Sequence, residues 1–231
     1  MPRIARIVAP GFPHHVTQRG SRNQQVFFSD RDKKDYLAIF QEELSKSNVE
    51  IWSYCLMDNH VHFITVPKDT NSLSKLFREA HKRYAAMINK REGWRGHLWQ
   101  ERFHSFVMDE RYLFSAMRYV ENNPVKAKMV KKAQDYPWSS AAAHVTRERN
   151  GLLSPCYLME EIENWDSYLK SGQNDSDYEE NFQKHLNTGR PMGSEDVVLK
   201  IEDVTNRSLK TKAVGRPVFQ TEHRIDKIVN K

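Results

Sequence analysis

The sequence predicts an α+β fold built on one antiparallel sheet, and three observations support this prediction. Segments typical of strands stand between segments with the periodicity of helices, in the order β-α-β-β-α-β-α. A two-residue turn candidate, Asp58-Asn59, joins the second and third strands as a hairpin. The 231 residues suit one domain with appendages, and a hydrophobic content of 39% is enough for one sizeable core. This order predicts a ferredoxin-like split βαβ fold with helices on one face of the sheet, followed by a mostly helical or irregular C-terminal extension.

Each predicted strand has a local reason. Residues 14–20 alternate in polarity and end at a glycine, and residues 49–57 are rich in β-branched and aromatic side chains. Residues 60–66 form the return strand of the hairpin and stop at Pro67. Residues 98–108 have the aromatic content of a fourth strand.

The helices are predicted from apolar faces and capping residues. Asp30 begins a helix that reaches about residue 47, and Asn71 or Ser72 caps a long helix to about residue 90. Asp109 caps a third helix that ends near Asn123, because Pro124 follows it. A shorter helical stretch is predicted over residues 124–133.

The net charge of +6 is unevenly distributed along the chain. Residues 1–150 carry 25 basic and 16 acidic side chains, residues 151–187 carry 2 and 8, and residues 188–231 carry 9 and 6. A basic body with 11% aromatic residues favours a polyanionic partner, nucleic acid first, although mild positive charge alone is also common in proteins that bind nothing charged.

Several classes of protein are excluded by what the sequence lacks. It has no apolar run of the length that spans a membrane and no apolar leader segment near its N-terminus. Its two cysteines, Cys55 and Cys156, form neither a disulfide framework nor a paired metal motif. We therefore expect a protein of the reducing cytoplasm.

The clearest candidate for a binding site is His60-Val61-His62 on the predicted third strand. Residues i and i+2 of a strand face the same side, so the two imidazoles project together and suit one divalent metal ion. The alternative is a pair of ordinary surface histidines. Asp58 and Asn59 are either additional oxygen ligands or only the turn.

A second pair is Tyr119 and Asn123, which share one face of the predicted third helix, with Tyr112 two turns earlier. Packing at the edge of the core is the alternative role of Tyr119. A tyrosine can act as a covalent nucleophile, but its phenol, with a pKa near about 10, needs help against a phosphodiester. A metal ion on two histidines polarises the phosphate, and attack leaves a phosphotyrosine that conserves the ester bond for strand transfer.

These motifs stand in a wider pattern that resembles the REP-associated tyrosine transposases, a branch of the HUH single-strand endonucleases related to insertion-sequence transposases with one catalytic tyrosine. The resemblance covers about residues 1–145 and, in the tail, residues 188–195. Its segments are MPRIARIV at the start, HHVTQRG at 14–20, VFFSDRDKKDYL at 26–37, YCLMDNHVHFI at 54–64, WQERFHSFVMDE at 99–110, RYVENNPVKAKMV at 118–130, YPWSSAAAH at 136–144 and TGRPMGSE at 188–195.

The resemblance implies an activity and the residues that carry it. It implies a metal-dependent endonuclease and strand transferase that cleaves single-stranded DNA hairpins of repetitive extragenic palindromes (REPs) through a 5′-phosphotyrosine. His60, His62 and Asn123 would hold Mg²⁺ or Mn²⁺, and Tyr119 would be the nucleophile. Insertion-sequence relatives tend to have glutamine at the place of Asn123, and asparagine is one methylene shorter than glutamine.

The resemblance also implies an organisation and a set of DNA contacts. Residues 1–148 would be the catalytic DNA-binding domain, residues 149–187 an acidic connecting segment and residues 188–231 a basic tail. We expect a monomer associated with the nucleoid, and a dimer is the alternative. Basic and polar side chains on the N-terminal arm, the first strand and its loop, the long helix and the fourth strand are candidate DNA contacts: Arg3, Arg6, His14, Arg19, Arg22, Asn23, Lys75, Arg78, Lys82, Arg83, Arg102 and His104.

Other interpretations remain open at this point. The chain fits a non-catalytic DNA- or RNA-binding protein derived from a transposase, or a phosphoesterase for small molecules. The Gly-Arg-Pro elements at 189–191 and 215–217 are either minor-groove contacts or simple turns. The tail or the acidic segment is a candidate cover for the active site or the basic face.

Overall fold

The computed structural model describes residues 5–171 and 176–209, and a four-stranded antiparallel sheet forms its centre. Its strands lie in the order β2-β3-β1-β4, which confirms the predicted ferredoxin-like arrangement. The strands are β1 (His14–Arg19), β2 (Val49–Met57), β3 (His60–Pro67) and β4 (His104–Val107).

Two helices cover one face of the sheet. They are α1 (Asp30–Leu44), capped by the Ser29 hydroxyl, and α2 (Ser72–Glu92), which ends at Gly93 in a left-handed conformation. The Phe40 ring stacks on that of Phe63 with 4.5 Å between ring centroids, and the ring of Phe77 lies 5.4 Å from Phe63. These buried aromatic rings join both helices to β3.

The helix α3 (Glu110–Lys126) lies on the opposite face, against β2 and β3, so the prediction that the helices share one face of the sheet is wrong for α3. Its N-cap is Asp109, as predicted, but the helix continues past Pro124 because the Ala127 N–H still bonds to the Asn123 carbonyl. The predicted helix over residues 124–133 is wrong. Lys128 has a φ of 57°, which ends the helix, and only a 3₁₀ turn follows at Ala133–Asp135.

The fourth strand is shorter than predicted. Residues 98–103 form an irregular segment, in which Trp99 makes an isolated bridge to Gly20 and Glu101 has a φ of 51°. The side-chain amide of Gln18 donates to the carbonyls of Gln100 and Glu101. These side-chain bonds stand beside two backbone bonds, from the Gln100 N–H to the Arg19 carbonyl and from the Ser21 N–H to the Leu98 carbonyl, which do not extend into a continuous strand.

The C-terminal part of the described chain is helical and packs on the body. Its helices are α4 (Ala141–Thr146), α5 (Leu158–Glu161), α6 (Trp165–Ser171), α7 (Ser176–Thr188) and α8 (Glu195–Thr205). Of these, α7 lies against β4 and α3, on the face opposite α1 and α2. Among the described helices, none combines the length and apolar character needed to cross a membrane.

Candidate active site

The two histidines of β3 face α3 across the sheet. The register pairs His60 with Arg19 and His62 with Thr17, so the side chains of these four residues share one face of the sheet. Tyr119 projects from α3 toward this face, and its ring is 5.7 Å from the His62 ring in an edge-on arrangement. The rings of His60 and His62 are 4.9 Å apart. The structure therefore brings the predicted nucleophile and the predicted pair of ligands together in one chain.

Hydrogen bonds orient both imidazoles. His60 Nδ1 lies 2.6 Å from Asn59 Oδ1, an atom that can only accept, so Nδ1 carries the proton and leaves the Nε2 lone pair unprotonated. His62 Nδ1 lies 2.8 Å from His15 Nε2, and His15 Nδ1 lies 3.4 Å from the Tyr178 hydroxyl. When His62 Nδ1 donates the hydrogen bond to His15 Nε2, the Nε2 atom of His62 keeps a free lone pair that points away from His15. Such outer partners fix the tautomer of a metal-binding histidine.

The site favours neutral imidazoles. Burial lowers the pKa of His60 to about 4, and the positive charge of Arg19 acts in the same direction. Burial lowers the pKa of His62 well below its usual value, with further contributions from His60, His15 and Arg19. Burial also lowers the pKa of His15 to about 3. A neutral imidazole is the form that binds a metal ion, so no proton has to be displaced at neutral pH.

Tyr119 is half-buried, and Asn123 lies one helical turn further along α3. Burial raises the pKa of the Tyr119 phenol, whereas a hydrogen bond with the Asn123 side chain and the charge of Arg19 lower it. Asn123 Nδ2 donates to the Tyr119 carbonyl at 2.9 Å, so its Oδ1 is the atom suited to ligation. Tyr119 and Asn123 therefore lie one turn apart on α3, as the helical period predicts.

The donor set fits the implied Mg²⁺ or Mn²⁺. Among the described residues no three His, Cys, Asp or Glu side chains cluster as a metal site, so the candidate set is the two imidazole nitrogens and the amide oxygen of Asn123. Asp58 is not part of it, because its carboxylate bonds to the buried Lys33 ammonium at 2.7 Å. Two oriented nitrogens and one oxygen suit ions that accept mixed ligands better than they suit a closed tetrahedral zinc site.

The helix α7 lies over Tyr119, the predicted nucleophile. The Phe182 ring lies 4.8 Å from the Tyr119 ring and 6.1 Å from that of His62, and the Tyr178 ring lies 5.6 Å from that of Tyr119. The Lys126 ammonium lies 5.1 Å from the centre of the Tyr119 ring and pairs with Glu179 of α7. The acidic segment of the chain thus lies directly over the candidate active site.

Three predicted DNA contacts border the active site. Arg19 and Asn23 are exposed and bonded to each other at 3.2 Å, and Arg22 is exposed beside them. Arg22 and Asn23 have φ values of 55° and 62°, which non-glycine residues rarely adopt. Gly20 allows this tight loop, because a Cβ at its position would lie 2.3 Å from the Gln24 carbonyl oxygen. Backbone strain of this kind clusters at functional sites.

The other predicted contacts fall into separate places. Arg6, Arg78, Lys82 and Arg102 line a groove beside α2, on the other face of the sheet. His104 lies on the active-site face, with Nδ1 3.4 Å from the Leu186 carbonyl oxygen of α7. Arg3 lies outside the described residues.

One of the predicted DNA contacts, His14, is wrong, and two others are bonded to groups at or near α1. His14 is fully buried, bonds to Ala9 and Phe12 of the chain and has its pKa lowered to about 4 by burial, so it exposes no atom to DNA. Arg83 pairs with Glu42 and Glu43 of α1, and Lys75 donates to the Lys46 carbonyl. Periodicity along α2 did not reveal that these two side chains face α1.

The first Gly-Arg-Pro element forms part of the folded body. Arg190 donates to the Leu209 carbonyl at 2.6 Å, and Met192 pairs with Met108 through a parallel bridge. These contacts agree with a structural turn. The second element, at 215–217, lies outside the described residues.

Four residues near the site were missed in the sequence. The strand period could have revealed His15, because it alternates along β1 with Thr17 and Arg19 and therefore lies on the same face of the sheet as these two residues. Tyr178 and Phe182 are remote in sequence, and no local signal directs them to Tyr119. Glu121 lies between the two functional residues of α3 and resembles an ordinary exposed helix residue in the sequence.

Glu121 fixes α3 on the sheet. Its buried carboxylate accepts from Ser53 at 3.2 Å, Ser140 at 2.5 Å, His144 at 2.6 Å and Trp165 at 2.7 Å. Burial alone raises the pKa of this carboxyl, but the neighbouring His144 and the hydrogen bonds outweigh it and hold the pKa below its usual value. The donors come from β2, α4, α6 and the turn before α4, so one side chain joins all of them to the helix that carries Tyr119.

Comparisons with known proteins find one family model and several solved structures that are similar to this chain. The family model described as "Transposase IS200 like" matches residues 12–123. Among solved structures, the chain is similar to a REP-associated tyrosine transposase bound to a REP hairpin, with 22% identity, a TM-score of 0.53, and coverage of 68% of this chain and 93% of that chain. A putative transposase from Deinococcus radiodurans is similar at 17% identity and a TM-score of 0.37, over 52% of this chain and 97% of that chain. A comparison with curated proteins gives no match.

The family match begins before β1 and ends at Asn123, so it contains both histidines of β3 and Tyr119. The similarity to the hairpin-bound transposase is at the level of the fold. Residues 12–123 of this chain, slightly less than half of its length, therefore match the family of IS200-like transposases.

Proposed function

We propose that the protein is a metal-dependent endonuclease and strand transferase that cleaves single-stranded DNA beside hairpins of repetitive extragenic palindromes. The observation that carries the proposal is the position of Tyr119, whose ring lies 5.7 Å from His62 on the face that also holds His60. A tyrosine serving only to fill the core would not need two oriented, neutral imidazoles beside it. The hairpin in the structurally similar transposase supports the choice of substrate.

The chemistry follows from the groups that surround Tyr119. Its phenolic oxygen attacks the scissile phosphorus, the bond from phosphorus to the 3′ oxygen breaks, and a 5′-phosphotyrosine forms. The phenol loses a proton, and the leaving 3′ oxygen gains one. Burial raises the pKa of the phenol, whereas Arg19 and Asn123 lower it, so these two residues favour the nucleophilic form. A second attack by a 3′ hydroxyl on the phosphotyrosine rejoins the strand and frees the phenol.

His60, His62 and Asn123 would hold the metal ion. When bound, Mg²⁺ or Mn²⁺ supplies positive charge that polarises the scissile phosphate. Asn59 and His15 hold the two imidazoles in place through their Nδ1 atoms. Arg19, Arg22 and Asn23 are proposed to contact the DNA strand at the edge of the same site.

The proposed active unit is a monomer. The described residues of one chain provide Tyr119, both histidines and Asn123, and α3 packs on its own sheet. A dimer that exchanges this helix would have to form again, between two chains, the buried Glu121 network that here bonds α3 to Ser53 and Ser140 of the same chain.

The test is strand cleavage of a labelled DNA hairpin that carries single-stranded flanks. Incubation with Mn²⁺ or Mg²⁺ should give a cut strand and a covalent complex that survives denaturing electrophoresis. His60→Ala and His62→Ala should abolish the cut and retain most DNA binding, whereas Tyr112→Phe is a matched control that should cut normally.

Tight binding of the hairpin without any cut under either metal ion would identify the alternative, a non-catalytic DNA-binding protein derived from a transposase. A cut that leaves no covalent complex would identify a hydrolytic phosphoesterase instead. Either result would overturn the proposed function.

A further inference from the structure

A groove of about 720 Å³ lies between α2 and the irregular segment 96–103, and we name it the α2 groove. It lies on the face of the sheet opposite His60 and His62. Gln18, which lines it, alternates along β1 with Thr17 and Arg19 and therefore faces the other way. The groove is a separate place from the site that holds Tyr119.

The walls of the α2 groove are basic. Arg78 and Lys82 project from one wall and Arg102 from the other, and Glu101 is the acidic residue of the lining. Lys82 and Arg102 are exposed. Arg78 pairs with its neighbour Glu79 at 2.8 Å, and the arginine side chain remains largely exposed. A groove with positive walls attracts a chain of phosphates.

The floor of the α2 groove is apolar with one unsatisfied polar atom. Phe77, Leu98, Trp99 and Phe103 provide the apolar surface. Gln18 is 2% exposed, and its Oε1 has no hydrogen-bond partner among the described residues, while its Nε2 donates to the Gln100 and Glu101 carbonyls. The two carbonyls fix the amide, so Oε1 remains an acceptor. A buried acceptor without a partner costs about 1–3 kcal/mol, which a ligand with an N–H donor would recover.

The α2 groove continues toward the active-site face around an edge of the sheet. A second cavity of about 30 Å³ shares Arg6, Arg102 and Phe103 with the groove and extends to His104 and to Leu186 of α7. Ser105, which lines this cavity, is 5% exposed, and its hydroxyl also lacks a partner among the described residues. Because β4 is an edge strand, a flexible chain can pass around it without crossing the sheet.

We propose that the α2 groove binds an unpaired, single-stranded segment of the substrate DNA. The neighbouring nucleotides of that strand pass around the β4 edge and reach Tyr119. This proposal rests on the proposed function and extends it to a second contact region. Arg78, Lys82 and Arg102 contact phosphates, and a base on the apolar floor donates an N–H to Gln18 Oε1. Duplex DNA buries its base donors in pairs, so the buried acceptor selects unpaired bases.

The test uses a fluorescein-labelled oligothymidylate and the full chain with Tyr119→Phe, which prevents cleavage, as the parent. Fluorescence anisotropy across a range of salt concentrations gives the affinity and its salt dependence. The double variant Arg78→Gln and Lys82→Gln should bind about tenfold or more weakly. Its slope of log affinity against log salt should be smaller by about 1.4, for two lost phosphate contacts on a single strand.

The matched control is the double variant Lys75→Gln and Arg83→Gln. It removes the same charge from the same helix, but on the side that faces α1. Arg102→Gln, on the opposite wall of the groove, is a second independent variant and should weaken binding with a slope smaller by about 0.7. An oligomer of N3-methylthymidine, which lacks the N–H donor, should bind the parent more weakly than oligothymidylate.

The outcomes separate this proposal from the proposed function. A parent that binds neither oligothymidylate nor a DNA hairpin contradicts the proposed function itself. A parent that binds, with groove variants equal to the control, overturns the α2 groove alone. Tighter binding of oligouridylate than of oligothymidylate would identify an RNA site and also overturn it. Equal affinity for methylated and unmethylated oligomers would refute the role of Gln18.

Discussion

Replacing Phe182 by alanine should increase the rate of the proposed cleavage, because this residue anchors the helix that covers Tyr119. Phe182 is 1% exposed, and its ring lies 4.8 Å from Tyr119 and 4.7 Å from His15. In this position α7 restricts the access of DNA to the half-buried Tyr119 side chain. The perturbation removes the largest apolar contact between α7 and the active-site face and leaves the catalytic groups unchanged.

The size of the effect follows from the packing that is lost. Truncating a buried phenylalanine to alanine typically costs about 3–5 kcal/mol. A loss of about 3 kcal/mol from the docking of α7 raises the population of the uncovered state by about two orders of magnitude. That ratio is the upper limit of the gain in rate, and the gain stops once the uncovered state predominates.

The assay is the initial rate of covalent complex formation with a DNA hairpin in Mn²⁺. Gln183→Ala is the matched control, since Gln183 is an exposed neighbour on the same helix. We expect an increase of between tenfold and a hundredfold for Phe182→Ala and no change for the control. An unchanged or reduced rate for Phe182→Ala would refute the idea that α7 blocks access.

Three further predictions concern the supporting residues. His15→Phe removes the partner of His62 Nδ1, so the affinity for Mn²⁺, measured by titration calorimetry, should fall by about 10–100-fold, and an unchanged affinity would show that His15 does not orient His62. Glu121→Gln leaves buried donors and His144 without their carboxylate, so urea denaturation should show a loss of about 3–5 kcal/mol, whereas a loss below 1 kcal/mol would contradict the anchoring role. Acid should destabilise the fold through His14. The pKa of His14 is about 4 in the folded protein and 6.5 for an ordinary exposed histidine, so between these pH values only the unfolded state takes up the proton. The contribution of His14 to the free energy of unfolding should therefore be constant above pH 6.5 and fall by about 3 kcal/mol as the pH decreases toward 4. His14→Asn should reduce this dependence on pH.

The elements of the fold could be predicted because their signals are local. The alternation in β1, the Asp58-Asn59 turn and the apolar stripe of α2 each lie within one short segment. The shared face of His60 and His62 follows from the strand period alone, and the shared face of Tyr119 and Asn123 follows from the helix period. These periods are properties of the backbone and do not depend on the rest of the chain.

The remaining features depend on contacts between distant segments. His15 becomes a partner of His62 only through the register of β1 with β3, and Phe182 reaches Tyr119 only after α7 folds over the sheet. Arg83 resembles Lys82 in sequence, but the carboxylates of Glu42 and Glu43 bind it on the α1 side. The side-chain amide of Gln18 donates to the carbonyls of Gln100 and Glu101, in the segment predicted as a strand, and a local sequence pattern does not reveal this contact.

The most direct test of the central claim is the identity of the residue that becomes attached to DNA. The protein should be incubated with a hairpin oligonucleotide and Mn²⁺, digested with nuclease and protease, and analysed by tandem mass spectrometry. The account predicts a nucleotide joined through its 5′ phosphate to Tyr119, and no adduct in Tyr119→Phe. An adduct on Tyr112 or on any other residue, or a normal yield of adduct in Tyr119→Phe, would contradict it.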